Sequence, residues 1–137
     1  MPLKNTLESR ISYRIKRSKS RVFLRKDFSD IGGYDQVGRI LRILVEKKVL
    51  INIGYGAYAR TRKSSITGKY IPEKPITDLA KELLKKLNVK IAPTQSDIDY
   101  KKGNSTQVPT GRVIGVKGRI ARKIEYNGAS ISYERYA

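Results

Sequence analysis

Neither cysteine nor histidine occurs among the 137 residues. The first absence excludes a disulfide framework and a thiolate metal site. The second removes the commonest general base and the commonest metal ligand. Carboxylates, lysines and serines remain, so chemistry is not excluded, but no metal or cofactor is called for. There is no apolar run of roughly 18 residues, hence no membrane span is expected. The opening MPLKNTLESR lacks the apolar centre of a signal peptide. The expectation is a soluble cytoplasmic protein.

Acidic side chains are scarce. Asp and Glu number 12 against 30 Lys and Arg, a formal charge of +18 with a pI near 10.3. So basic a balance implies a polyanionic partner. Nucleic acid is the leading reading, with an anionic membrane surface or an acidic protein as alternatives. A charge that merely solubilises usually mixes both signs.

Hydrophobic residues make up 39%, enough for one domain or two small ones. Two lobes of about 60 residues would each be marginal, because such domains bury only about 60% of their unfolded surface. Residues 1–62 carry 15 Lys and Arg against 5 Asp and Glu, a net +10. Residues 63–137 carry 15 against 7, a net +8, so charge alone does not say which half meets the polyanion. The stretch 63–75, KSSITGKYIPEKP, lacks an apolar period and reads as a linker. The domains expected are therefore 1–62 and 76–137.

A first helix is predicted over Thr6 to Arg17, with Leu7, Ile11 and Ile15 as its apolar stripe and Asn5 and Glu8 at capping-box spacing. Leu24, Phe28 and Ile31 suit a short second helix stopped by Gly32-Gly33. The third helix, Tyr34 to Lys48, is the best defined: Val37, Ile40, Leu41, Leu44 and Val45 form a complete core stripe. Gly38 inside it costs about 1 kcal/mol relative to Ala, which implies close approach of a partner or tight packing. Val49 to Ile53 and Ala57 to Thr61 flank Gly54-Tyr55-Gly56 as a hairpin.

Three helices followed by a hairpin match a winged helix-turn-helix, in which the second helix of the motif enters the major groove. The third helix then presents Tyr34, Asp35, Gln36, Arg39, Arg42, Ile43 and Lys47. Gln36 can pair with adenine, and Arg39 and Arg42 with guanine or phosphate. The hairpin is the wing, with Asn52, Tyr55, Arg60 and Arg62 as contacts. Lys16, Arg17, Lys19, Arg21, Arg25 and Lys26 form a basic run suited to phosphates. A protein-binding winged helix, a solvated Arg42–Glu46 pair or a flexible basic loop would leave the same pattern.

In the second half, Ile76, Leu79, Ala80, Leu83, Leu84 and Leu87 mark one main helix, with Asn88 at its end. Val89 to Ile91, Val113 to Val116 and Ile120 to Tyr126 are strand-like, and Asn127-Gly128 is a hairpin turn joining RKIEY to ASISY. Thr94 and Asp97 have capping spacing. The expected fold is α+β: the winged helix, then a small α/β lobe with one helix on a mostly antiparallel sheet. Nothing here suggests an enzyme. Asp97 and Asp99 fit a capped turn, Ser105-Thr106 has no evident base, and Gly111, Gly115 and Gly118 do not lead from a strand into a helix.

Two stretches together resemble a known family. VFLRKDFSDIGGYDQVGRILRILVEKKVLINIGYGAY is similar to the N-terminal winged helix of the AbiEi-like antitoxins of type IV toxin–antitoxin and abortive-infection systems. DLAKELLKKLNVKIAPTQSDIDYKKGNSTQVPT is similar to the start of that family's second domain. The resemblance implies an autorepressor that binds inverted repeats in double-stranded DNA at its own promoter. It also implies an antitoxin countering a nucleotidyltransferase-like toxin without a stable complex. The reading helix carries over to Tyr34–Lys48 and the wing to Ile51–Arg60. Three features depart from the family pattern: Leu24-Arg25 stands where a small hydroxyl residue and Pro are common, Tyr55 stands where the wing tip is often basic, and the sequence stops at Ala137 where many relatives continue with further helices. The alternatives are a stand-alone winged-helix regulator without antitoxin activity, or a basic RNA-binding or ribosome-associated protein, for which exposed tyrosines would serve as stacking surfaces.

Overall fold

The computed structural model describes residues 6–103, 112–118, 120 and 122–136. The chain is α+β and divides into two compact units, Met1–Pro75 and Ile76–Ala137.

In the first unit, helix α1 (Leu7–Arg17) buries Ile11 and Ile15. Its cap lies one residue later than the spacing predicts. The Thr6 hydroxyl accepts from the Ser9 N–H at 3.1 Å, and the Ser9 hydroxyl accepts from the Thr6 N–H at 3.2 Å. Asn5 lies outside the described residues, and Glu8 accepts from Lys47 instead, at 2.6 Å. Strand β1 (Val22–Leu24) follows and is wholly buried. Where a short α-helix was expected, Arg25–Phe28 makes a single 3-10 turn. The Asp27 carboxylate starts it by accepting from the Leu24 N–H at 2.8 Å.

Helix α2 (Tyr34–Glu46) buries Val37, Ile40, Leu41 and Leu44 and ends before Lys48. Lys48 adopts a left-handed φ of 64°. That turn lets the Val49 N–H reach the Leu44 carbonyl and the Lys48 N–H reach the Val45 carbonyl, both at 3.0 Å. These are the two bonds of a Schellman cap. Strands β2 (Leu50–Gly54) and β3 (Ala57–Lys63) form the expected hairpin. The antiparallel sheet has the order β1-β3-β2. The core joins α1, β1, the 3-10 turn, α2 and the hairpin through Ile11, Ile15, Phe23, Phe28, Leu41 and Tyr58, among others.

Residues 63–75 are not a linker. Strand β4 (Tyr70–Pro72) pairs with Thr61, Arg62 and Lys63 of β3, so this segment belongs to the first unit. The turn between them is tightly built. Ser64 N–H donates to the Lys69 carbonyl at 2.8 Å, and the Ser64 hydroxyl accepts from the Ile66 and Thr67 N–H groups at 3.2 Å each. A polar stretch without an apolar period still pairs, because sheet formation here uses backbone groups and not side-chain burial.

In the second unit, α3 (Ile76–Lys86) buries Leu79, Ala80, Leu83 and Leu84. Asn88 closes it with φ 62°; the Val89 N–H reaches the Leu84 carbonyl at 2.9 Å. After β5 (Ile91–Ala92), Thr94 caps the short α4 (Gln95–Lys101) in a reciprocal pair with Asp97, as the spacing predicts. Residues 104–111, including Ser105-Thr106 and Gly111, lie outside the described residues. Strands β6 (Val113–Lys117) and β9 (Ser132–Tyr136) run parallel over five residue pairs, whereas β5 and β6 are antiparallel over two. The sheet is therefore mixed, and its longer ladder is parallel. A parallel pair needs a crossover. Residues 118–131 make it, and they contain the separate hairpin β7 (Glu125–Tyr126) and β8 (Ala129–Ser130). The turn Asn127-Gly128 has φ 52° and 84°, both positive as a type I′ turn requires.

Among the described residues no helix is long and apolar enough to cross a membrane. No group of His, Cys, Asp or Glu there could hold a metal ion.

Candidate nucleic-acid interface

The polar face of α2 is the natural place to begin. Its start is Gly33, which offers no side chain to cap the first N–H groups. The positive pole of the helix thus lies open beside Tyr34, a disposition that favours anions. Tyr34 is 67% exposed. Asp35, Gln36, Arg39 and Arg42 follow, all exposed. Ile43 belongs elsewhere: it is half-buried and packs against the core. Lys47 lies at the far end and is held by Glu8 at 2.6 Å. Both were expected to contact DNA, and the geometry assigns them to packing and to an α1–α2 link.

Arg25 approaches this face from the 3-10 turn. Its guanidinium lies 4.5 Å from the centre of the Tyr34 ring, a cation–π contact. The same group presses on α2 where Gly38 has no Cβ; a methyl group there would overlap the guanidinium. Gly38 is thus explained by packing within the unit. The buried Arg25 Nε has no hydrogen-bond acceptor.

The hairpin completes the arrangement. Tyr55 at its tip is 92% exposed, beside Gly56 at φ 65°. Asn52 is exposed on β2, its side-chain oxygen accepting from the Gly54 N–H at 3.2 Å. Arg25, Tyr34, Arg42, Asn52, Tyr55 and the inner Tyr58 line a cleft of about 310 Å³ between α2 and the hairpin. No carboxylate lines it. Side chains expected on three separate elements therefore meet at one place. Tyr58 has no signal in the sequence beyond its place on a strand.

Arg60 is a correction. It was expected on the wing, yet its side chain is only 16% exposed. Its Nε and one terminal nitrogen grip Glu73 at 2.7 and 3.0 Å. The other nitrogen donates to the carbonyls of Ile15 and Ser18 at 2.6 and 2.9 Å, closing the end of α1. A cation at a helix C-terminus meets its negative pole. The Arg60 hydrogen bonds hold the Glu73 carboxyl below its ordinary range, opposed by partial burial. Arg21, expected to contact phosphate, joins this joint instead, 3.4 Å from Glu73 with its side chain 38% exposed. Arg62 stays exposed on β3.

The basic run Lys16 to Lys26 is accordingly divided. Lys16, Arg17 and Lys19 are exposed at the end of α1, with Arg17 lying 5.2 Å over the Tyr13 ring. Arg25 and Lys26 lie beyond β1, about 10 Å of extended chain away. Arg14 pairs doubly with Asp30 at 2.6 and 2.7 Å. That hydrogen bonding lowers the Asp30 carboxyl to about 2.

The first unit has 18 Lys and Arg against 6 Asp and Glu, a formal +12, and the second 12 against 6, a formal +6. Glu8, Asp30 and Glu73 are ion-paired within the first unit. The field around the cleft is left strongly positive.

No curated protein and no solved structure matches the chain. The model of one family, the Family of unknown function (DUF6088), matches residues 10–137, and the chain belongs to that family.

Proposed function

We propose that Met1–Pro75 is a winged helix-turn-helix that binds double-stranded DNA through the exposed face of α2 and the β2–β3 hairpin. The observation that carries the reading is the convergence of Arg25, Arg42 and the exposed hairpin tip around one carboxylate-free cleft, with Gln36 and Arg39 exposed on the same helix. The element order and the strand order β1-β3-β2 suit a helix laid in a major groove with a hairpin beside it. Lys16, Arg17, Lys19, Lys26 and Arg62, all exposed, would contact phosphates. By the resemblance set out above, the DNA would be inverted repeats at the chain's own promoter. The chain would then repress its operon and counter a nucleotidyltransferase-like toxin.

Gel shifts on the chain's own upstream DNA test the binding. Arg39→Ala should weaken binding to the cognate duplex by about 1–3 kcal/mol and relax discrimination against a scrambled one. If the variant binds both duplexes as the parent does, α2 is not the reader. Replacing Lys16, Lys19 and Lys26 by Ala should weaken all duplexes alike and flatten the log–log salt slope by about 0.9 per lost contact. Co-expression with the neighbouring toxin gene tests the antitoxin role; growth arrest despite the chain would leave a regulator alone.

A further inference from the structure

The cleft between α2 and the β2–β3 hairpin is larger and more aromatic than a backbone clamp requires. A phosphate needs donors and positive charge, which one or two cations supply. Here about 310 Å³ is bounded by Tyr34, Tyr55 and Tyr58 together with Arg25 and Arg42. Two of the tyrosines, Tyr34 and Tyr55, are widely exposed although aromatic. One face of the Tyr34 ring is covered by the Arg25 guanidinium at 4.5 Å. Holding that guanidinium there leaves Nε buried without an acceptor and requires a glycine at position 38. Both are costs to folding, which points to a use for a cation fixed at this place.

We propose that the cleft is a nucleotide subsite. It takes one unpaired nucleotide of a bound strand, its phosphate on Arg25 and Arg42 and its base against Tyr34 and Tyr55. Unstacked bases gain most from aromatic and guanidinium planes, and every base offers such a face. Asn52 adds a donor and acceptor pair for a base edge. The absence of any lining carboxylate fits an anionic ligand. This inference rests on the nucleic-acid reading above and extends it: a duplex that carries an unpaired base should bind more tightly than the same duplex without one.

The test follows amide and arginine Nε–H resonances during titration of the full chain with inorganic phosphate, thymidine, thymidine monophosphate, oligothymidylate and a blunt duplex. The monophosphate and the oligomer should shift Arg25 Nε–H and the amides of Gly54 and Gly56, with phosphate or thymidine alone doing so far less. Tyr34→Ala should weaken oligothymidylate binding roughly 5- to 100-fold. Gly38→Ala, which displaces the Arg25 guanidinium while leaving every lining side chain in the sequence, should weaken it too, and circular dichroism shows whether both variants are folded. Equal shifts with phosphate and with the monophosphate would overturn the subsite, as would oligothymidylate that leaves the cleft unshifted. A blunt duplex that binds while no nucleotide enters the cleft would overturn the subsite and leave the duplex reading standing. Nucleotide entering the cleft of a chain that ignores duplexes would do the reverse.

Discussion

The two units solve the same problem with different means. The first buries sixteen apolar side chains among the described residues, including both phenylalanines, and the second buries eight. The first ties its periphery together with arginine–carboxylate pairs: Arg14–Asp30, and Arg60 with Arg21 on Glu73. The second uses carboxylates mainly on backbone and hydroxyl donors: Asp97 on the Thr94 N–H, Glu134 on the Gln95 N–H, Glu125 on the Ser130 hydroxyl. The difference teaches where cations remain available. In the first unit internal pairing engages at least three of the six acidic residues, and the unit keeps a formal +12. The second unit has half that surplus and, with its few buried side chains, the smaller reserve of stability.

The sharpest way to break the comparison is to cut the first unit short. A fragment ending at Arg62 loses β4 and Glu73, so Arg60 is left part-buried and unpaired. Removing one partner of a buried pair costs about 3–5 kcal/mol, and the lower end applies here because Arg60 and Glu73 are 16% and 25% exposed. Residues 1–75 should melt cooperatively and residues 1–62 should not. Equal melting of the two fragments would show β4 to be an ornament.

Leu83→Ala strikes the other unit. Leu83 is fully buried, and its truncation should cost about 2–5 kcal/mol. Thermal unfolding should then separate into two transitions, the lower belonging to Ile76–Ala137, with gel-shift affinity largely retained below the upper one. Loss of DNA binding in step with the lower transition would mean one cooperative protein. Gly115→Ala is a related lesion. Its Cβ would strike the Ala92 carbonyl across the β5–β6 ladder, and a backbone carbonyl cannot swing aside. Overpacking of this kind costs typically about 1–3 kcal/mol.

The contrast with Gly38→Ala is instructive. There the obstacle is the end of a flexible arginine, which can move out, while alanine improves helix propensity by up to about 1 kcal/mol. The melting temperature should stay or rise slightly. A large fall would mean that the Arg25–Tyr34 contact holds the unit together.

Acid gives the smallest and most graded effect. Asp30 is depressed to about 2 by Arg14, and Glu73 is lowered by Arg60. A carboxyl depressed in the folded state binds fewer protons than when unfolded. It stabilises above its unfolded pKa, near 4, and that contribution is lost as pH falls toward 2. Arg14→Gln should flatten the acid limb of the first unit's stability curve between these values. An unchanged limb would show the exposed Arg14–Asp30 pair to be without effect.

Much of the architecture was legible residue by residue. The stripes Ile11–Ile15, Val37–Leu44 and Leu79–Leu84, the Thr94–Asp97 box and the Asn127-Gly128 turn each depend on neighbours within a few positions, and each forms. Of the candidate interface, the exposed face of α2 and the hairpin tip were legible for the same reason. What was not legible involves distant partners. β4 looked like a linker because three half-exposed residues carry no burial pattern. Arg60 looked like a wing contact because nothing in ARTRK announces Glu73 or the end of α1.

The sequence by itself therefore determined most of the elements, their apolar faces and the excess of positive charge, since periodicity and turn chemistry act over one or two turns of chain. Only the tertiary structure decided which cations are consumed and which remain. It placed Arg60 and Arg21 on Glu73, put Arg25 over Tyr34 and Gly38, and laid β9 parallel to β6. The physical reason is that an ion pair or a strand partner is chosen by proximity in space. That proximity arises from burying the apolar faces together, and the charged residues leave no record of it in their own spacing.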